Sequence, residues 1–356
     1  MRVLEIITPS RIGGAEVYLA SLVQALWEAG DEVTVFCPSG RPIVNYLRAR
    51  GITPLTWKTW GKIDPKTLFG LARLIKAQRI DVIHAHLSSA AFIGSLAGRL
   101  TGTPCVASVH GFTYAGWYRF ADRLHAVSDA VKGDLLRQGI RAEKIRVVHN
   151  GIALERFVPQ PVAEAKRACG FDPAVPRVGI VGRLNPVKGQ ATALQAWPQV
   201  RERIPAARLM LVGEGKAEPE LRALAAQLGI ADAVDFTGFC DDPRALMAAC
   251  DVVAMPSRSE GLGLVAMEAM ALQRPVVVSD AGGLVEVVVD NESGLVVPRE
   301  DSDALGEALI RVLSDLALAD RLAHAGRLRV EEHFSAARQL RALREVLVSS
   351  CHCIQS

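Results

Sequence analysis

The stretch best equipped for chemistry is Ser257-Arg258-Ser259-Glu260-Gly261-Leu262-Gly263-Leu264-Val265-Ala266-Met267-Glu268, in which seven residues separate two glutamates. A carboxylate accepts several hydroxyl protons, so a pair spaced in this way suits a sugar-like ligand. Glu260 falls in a Gly-rich loop and Glu268 about one turn into a helix. If the stretch were fully helical, its eight steps would separate them by about 12 Å, the scale of a ribose and a sugar held apart by a pyrophosphate. The N–H groups of Gly261, Leu262 and Gly263 would sit at the helix start, ready for anionic oxygen. The plainer alternative makes Glu260 a cap and Glu268 a solvated charge. Glu268 lies between Val265-Ala266-Met267 and Ala269-Met270, poor surroundings for a charge that is only solvated, and this favours the ligand reading.

Complementary charge comes from Gly182-Arg183-Leu184-Asn185-Pro186-Val187-Lys188-Gly189. Two cations on a Gly/Pro-shaped loop suit a diphosphate, Arg183 forking onto its oxygens and Lys188 acting as a point charge. The alternative is a solvated basic loop; its place after a strand-like run favours binding. Gly13-Gly14 stands between the first strand-like run and its helix, where backbone could approach a phosphate. A glycine pair is equally at home in a plain turn. Neither G-x-G-x-x-G nor G-x-x-x-x-G-K-[ST] occurs there.

Short apolar runs must position these groups. Residues 3–8, 32–38, 81–86, 105–111, 124–128 and 146–151 read as strands, as do 177–183, 208–213, 234–238, 251–257, 275–280 and 294–298. They are continuous rather than alternating, as in parallel strands covered on both faces. Amphipathic stretches lie between them. In residues 15–29, Leu19, Leu22, Val23, Leu26 and Trp27 form one stripe that Gly30 ends. Strand–helix alternation of this kind means doubly wound α/β sheets. Ligands of such sheets bind beyond the carboxyl ends of the strands. Polar residues and glycines gather there: Thr8, His84, His86, His110-Gly111, Ser128, Asn150-Gly151, Gly213-Glu214-Gly215, Ser257 and Asp280. The boundary between two domains is expected within residues 152–176, where Pro159, Pro161, Pro173 and Pro176 interrupt two strand patterns. The final helix, residues 336–348, is expected to cross back to the first domain.

A chain of 356 residues, 50% apolar and 22% charged, has the material for two domains and excludes disorder as its main state. The apolar stretch 88–97 ends at Arg99, short of a membrane span. The first residues, Met-Arg-Val-Leu-Glu, lack the apolar run of a signal peptide. Seven scattered cysteines form no disulfide framework, which points to a reducing, cytoplasmic setting. The net charge of +3 is uneven: residues 1–150 carry 19 basic against 11 acidic side chains, the remainder 22 against 27. A basic N-terminal half fits an anionic partner as well as plain solubility. Dispersed basic residues without a recognition motif argue against nucleic acid.

With these residues in order, the chain resembles the retaining glycosyltransferases of family 4 (glycosyl transferases group 1) from end to end. The resemblance is carried by Gly13-Gly14-Ala15-Glu16, Asp81-Val82-Ile83-His84-Ala85-His86, Val109-His110-Gly111 and Ala126-Val127-Ser128. Val148-His149-Asn150-Gly151-Ile152, Gly182-Arg183, Lys188-Gly189, the Glu260/Glu268 pair and Gly282-Gly283 with Glu286 continue it. It implies the GT-B fold: two Rossmann-like domains facing across a cleft. Residues 1–155 would bind the acceptor and 156–335 the nucleotide sugar, with 336–356 returning to the first domain. Arg183 and Lys188 would bind the diphosphate, Glu268 the ribose, and Glu260 with the Gly261–Gly263 amides the transferred sugar. His110 would reach that sugar near its anomeric carbon, and Gly14 would contact the diphosphate. The resemblance also implies a metal-free reaction that retains anomeric configuration, a donor phosphate oxygen taking the acceptor's proton. The acceptor would be a hydroxyl of a glycan or glycolipid in cell-surface polysaccharide or lipopolysaccharide synthesis. One departure is visible: Gln273 stands before Arg274-Pro275, where relatives carry glycine.

Other signals are read structurally. Asp301-Ser302-Asp303 precedes an apolar-periodic helix and reads as a cap rather than a metal motif. Cys351-His352-Cys353 lies at an apparently frayed terminus without a second ligand pair. His125 and His149 sit in apolar strands as satisfied core histidines. Trp57, Trp60 and the aromatics of residues 112–120 read first as packing. With the basic half around them they also suit an anionic membrane surface bearing a lipid-linked acceptor. Two other functions compete: a sugar-nucleotide epimerase of the same fold, and a non-catalytic nucleotide-sugar-binding protein.

Overall fold

The computed structural model describes the chain except residues 10–12, 62–63 and 353–356 and the side chain of His352. Two compact units result: residues 1–151 together with the chain from Ala336 onward, and residues 152–335.

The first unit alternates β1 (Arg2–Ile7), α1 (Gly14–Glu28), β2 (Glu32–Pro38), α2 (Pro42–Arg48), β3 (Leu55–Trp57) and α3 (Pro65–Gln78). It continues with β4 (Val82–His86), α4 (Ser88–Thr101), β5 (Cys105–Val109), β6 (Arg123–Ala126), α5 (Asp129–Arg137) and β7 (Ile145–Val147). Its strands make one parallel sheet in the order β3-β2-β1-β4-β5-β6-β7. The second unit runs α6 (Val162–Ala168), β8 (Arg177–Val181), α7 (Gln190–Arg203), β9 (Arg208–Val212), α8 (Glu218–Gln227) and β10 (Val234–Gly238). There follow α9 (Arg244–Ala248), β11 (Val252–Met255), α10 (Leu264–Ala271), β12 (Val276–Ser279), α11 (Leu284–Val287) and β13 (Leu295–Val297). Helices α12 (Ser302–Ser314) and α13 (Leu316–His333) end it, and α14 (Ala336–His352) belongs to the first unit. The second sheet, also parallel, has the order β10-β9-β8-β11-β12-β13.

All twelve expected strands form. The one missed, β3, is the short segment Leu55-Thr56-Trp57, which lacks the continuous Val/Ile/Leu run by which the other strands, two of them equally short, were read. Trp27 also departs from expectation. Leu19, Leu22, Val23 and Leu26 are buried, but Trp27, one step further round the helix, is 41% exposed. The stretch 152–176 is not wholly irregular, because α6 forms within it. There Lys166 is buried and its ammonium donates to the carbonyls of Pro173 and Val175 while pairing with Asp251 at 2.7 Å.

One face of the first sheet explains both packing and site. Val3, Val82 and Val106 pack with Leu22 and Leu26 of α1 and Leu343, Val346 and Leu347 of α14. Each fully buried leucine stabilises by about 1.5–3 kcal/mol. Arg344 adds a two-pronged pairing with the buried Asp31, at 2.9 and 3.0 Å. Two residues further along, the same face of β1, β4 and β5 carries Glu5, His84 and Ser108, all fully buried. Both sheets reverse strand order at a central pair, β1/β4 and β8/β11, where doubly wound sheets place their ligands.

Candidate active site

In the second unit, the switch point joins the loop after β8 to the loop after β11. Asn185 starts a short turn, its side chain accepting from Lys188 N at 3.1 Å, and Pro186 fits the first position of that turn. Gly189 then takes φ +70°, with a Cβ there lying 1.8 Å from the Pro256 carbonyl oxygen. Only glycine fits that approach. Arg258 N donates to Val187 O at 2.8 Å and Gly283 N to Glu260 O at 3.0 Å. These backbone contacts bring Lys188 to Glu260, with 2.5 Å between Nζ and Oε2. Arg183, on the same loop, is exposed and makes no ion pair among the described residues. Its carbonyl is tied down by Gln190 Nε2 at 2.9 Å.

Gly263, at φ +112°, caps α10, and the helix begins at Leu264. Residues 260–263 thus form the expected loop, with Glu268 one turn into the helix, so the two glutamates are not joined by a continuous helix. Among the described residues, the N–H groups of Gly261, Leu262 and Gly263 donate to nothing, leaving them free for anionic oxygen. Glu268 lies one turn into α10, half-buried beside Met267 and Ala269. Burial pushes its carboxyl up to about 7, the positive charges of Arg156 and Arg244 only partly offsetting it and Asp242 adding to it. Arg244 is itself held by Asp242 at 2.7 Å and donates to the Arg156 carbonyl at 2.7 Å. Lys188 and Glu260 are thus together, whereas Glu268 has charged neighbours of its own.

In the first unit, Gly14 opens α1 and is exposed. His110 follows β5 and is half-buried. Its Nε2 lies 3.1 Å from His86 Nδ1, its ring stacks on His86 at 5.4 Å, and Tyr18 meets it edge-on. His84 and His86 are not open strand-end ligands as expected; both are fully buried. Glu5 bridges them, Oε1 at 3.0 Å from His84 Nδ1 and Oε2 at 2.6 Å from His86 Nε2. The chain continues from His84 Nε2 to Ser108 Oγ (2.7 Å), His125 Nδ1 (2.7 Å) and, through His125 Nε2, Val148 O (2.7 Å). Burial alone would raise the Glu5 carboxyl, but the His84 charge and the hydrogen bonds from both histidines hold it at about 2. Burial lowers His86 to about 4 and His125 to about 3, and takes His110 well below the usual histidine range, His86 adding to it.

Glu5 and Ser108 were missed by motif reading. Each is a lone polar residue in an otherwise apolar run, residues 3–7 and 105–109, and that was their only signal. His125 is the satisfied core histidine expected. His149, however, lies beyond β7 and is half-buried, outside any strand. Ser128 caps α5, accepting from Val131 N at 3.0 Å, and Asp301 caps α12 as expected. Cys351 is not frayed: it lies within α14 and packs on the first unit's core. The side chain of His352 and all of Cys353 lie outside the described residues. Trp57 packs on Phe36, centroids 4.1 Å apart, and Trp117 and Phe120 pack on Phe92. Trp60, Phe112 and Tyr114 are exposed.

Comparison with known proteins agrees with this layout. Residues 163–329 match the family "Glycosyl transferases group 1" and residues 12–156 match "Glycosyltransferase Family 4". A D-inositol 3-phosphate glycosyltransferase of Salinispora arenicola is 31% identical, over 94% of this chain and 86% of its own. A GDP-mannose-dependent alpha-(1-6)-phosphatidylinositol monomannoside mannosyltransferase of Mycobacterium tuberculosis is 30% identical, over 90% of each chain. The crystal structure of Anabaena Alr3699/HepE in complex with UDP and glucose superposes with a TM-score of 0.88 at 25% identity. It covers 98% of this chain and 100% of that one. The two parallel sheets thus make a GT-B-like fold. The chain belongs to glycosyltransferase family 4 and is a hexosyl-type glycosyltransferase that uses a nucleotide-sugar donor.

Proposed function

We propose that this enzyme moves a hexose, with retention, from a nucleoside-diphosphate donor to a hydroxyl of a glycan or glycolipid in cell-surface polysaccharide or lipopolysaccharide synthesis. One observation carries the donor assignment: Lys188 and Glu260 meet at 2.5 Å beside three N–H groups at the head of α10. A cation and free amides oppose the charge of a departing diphosphate without a metal, while the carboxylate grips hydroxyls. Arg183 adds a second cation to the diphosphate, and Glu268 takes the ribose. His110 acts on the transferred sugar and Gly14 on the diphosphate. Relatives named for mannosyl transfer to phosphatidylinositol mannosides support a lipid-linked acceptor.

A lipid-linked acceptor fits the outer face of the first unit. Helix α3 exposes Lys66, Phe69, Arg73 and Lys76. Phe69, Arg73, Lys76 and Leu100 line a shallow groove between α3 and α4. Cations around exposed apolar side chains suit the inner face of an anionic cytoplasmic membrane. No helix among the described residues is long and apolar enough to cross a membrane.

The test is a thermal-shift screen of uridine, guanosine and adenosine diphosphate sugars. Stabilisation by one nucleotide class, with product formed only when acceptor is added, is the expected result. Isomerised donor without acceptor would identify an epimerase. Stabilisation without turnover on any acceptor would identify a binding protein, and no stabilisation by any donor would remove the site.

A further inference from the structure

We propose that Glu5 and His86 are positioning residues that fix which ring nitrogen of His110 carries its proton. The order of hydrogen bonds dictates the polarity. A carbonyl only accepts, so His125 donates its Nε2–H to Val148 O. Neutral His125 then accepts at Nδ1 from the Ser108 hydroxyl, and Ser108 Oγ accepts from His84 Nε2–H. That leaves His84 Nδ1 facing Glu5 Oε1 at 3.0 Å, a contact that requires one proton between them. With this proton held there, the other carboxylate oxygen, Oε2, accepts from His86 Nε2–H at 2.6 Å. His86 Nδ1 is thereby a lone pair, and at 3.1 Å it accepts from His110 Nε2–H. His110 is left with an unprotonated Nδ1, which has no partner among the described residues.

The second ring nitrogen of a histidine is commonly set by the bond the first one makes. Here the setting group is two side chains away and fully buried, so solvent does not compete for it. Neutral His86 and His110, both lowered by burial, agree with this polarity. The consequence for turnover rests on the reading of His110 as a donor-sugar residue: it would accept a hydrogen bond through Nδ1 rather than donate one. The polarity itself does not depend on that reading.

Glu5→Gln separates polarity from charge. A glutamine amide can donate N–H to His84 Nδ1 and accept from His86 Nε2–H, which reproduces the pattern without a mobile proton. Glu5→Leu can do neither. In the full-length protein labelled with 15N-histidine, and assigned with His110→Gln, ring-nitrogen shifts report the tautomer directly. The expected result is His110 protonated at Nε2 in the wild type and in Glu5→Gln, and a mixture of tautomers in Glu5→Leu. Wild-type His110 protonated at Nδ1 overturns the proposal, and so does a Glu5→Leu protein with an unchanged tautomer. Should Glu5→Leu not fold, His86→Leu gives the second reading, and the wild-type spectrum decides without either. In turnover, Glu5→Leu should lower kcat about tenfold or more while donor KM changes less, and Glu5→Gln should recover most of the loss. If the tautomer shifts as expected and kcat does not, the relay stands and the assignment of His110 to the sugar fails.

Discussion

Lys188 Nζ lies 2.5 Å from Glu260 Oε2, with the two side chains 23% and 17% exposed. A cation assigned to a diphosphate and a carboxylate assigned to a sugar therefore share one point at the end of β8 and β11. A donor bound there must engage both, so their contributions are coupled. Lys188→Ala should weaken nucleoside-diphosphate binding by about 1.5–3 kcal/mol, the range for hydrogen bonds to charged groups. Glu260→Gln should lower kcat about a hundredfold or more, with the melting temperature nearly unchanged. The double variant should depart from additivity by about 0.5–3 kcal/mol in titration calorimetry. Additive losses would mean that the two residues serve separate ligands.

Glu268 gives the proposed donor site a pH dependence. Its carboxyl is raised from 4.5 to about 7 in the folded protein, so folding favours its protonated form. The stabilisation is complete below the unfolded value and is lost as pH rises through about 7. Glu268→Gln, which cannot ionise, should be more stable than the wild type at pH ~8 by about 3 kcal/mol, the difference shrinking to under about 1 kcal/mol at pH ~5. Binding runs the other way, because ribose hydroxyls are gripped best by the ionised carboxylate. Wild-type affinity for the nucleoside diphosphate should rise between pH ~6 and ~8, and that of Glu268→Gln should stay flat. Parallel curves for the two proteins would remove Glu268 from the ribose.

The strand runs, and the Gly/Pro-shaped loops that follow β8 and β11, were legible in the sequence because both arise from local patterns. Continuous runs of Val, Ile and Leu mark parallel strands, and the Gly/Pro-shaped loops after β8 and β11 mark the strand ends at which the donor site is proposed. What was not legible depended on register. Glu5, His84, Ser108 and His125 share a face only because β1 pairs β4 through Glu5↔His84 and β5 pairs β6 through Ser108↔His125. In sequence they are separated by as much as 120 residues, so no motif spacing could join them. The Lys188–Glu260 contact is likewise a product of the β8/β11 pairing, which depends on the switch in strand order. Trp27 shows the opposite error: a stripe drawn by periodicity alone gives no account of where the apolar contact ends.

The outer face of α3 carries the positive charge that a membrane would meet. Lys66, Arg73 and Lys76 are exposed on α3, whose own sequence has no acidic residue, and Asp64 just ahead of it is engaged as its cap. Each basic residue near an anionic bilayer contributes about 1 kcal/mol. Reversing all three to glutamate should release the protein from vesicles containing phosphatidylglycerol, while turnover on a soluble acceptor analogue is unchanged. Equal sedimentation with anionic and neutral vesicles by the wild type would retire the membrane surface as a partner.

Gln273 stands where a left-handed residue ends α10. Its φ is +55°, its N–H donates to Met270 O at 2.9 Å and the next N–H, of Arg274, to Ala269 O at 2.9 Å. That pair of bonds is the usual glycine-terminated helix end, here built with a residue that bears a Cβ. A side chain in this region costs about 1–2 kcal/mol, and glycine returns part of the gain through a freer unfolded chain, about 0.4–1 kcal/mol. Gln273→Gly should therefore raise stability to urea by about 0.5–1 kcal/mol. Gln273→Ala keeps the Cβ and should gain nothing, so the difference between the two isolates the backbone contribution. A Gln273→Gly protein no more stable than Gln273→Ala would show that contacts of the glutamine side chain, rather than its backbone conformation, set the balance at this helix end.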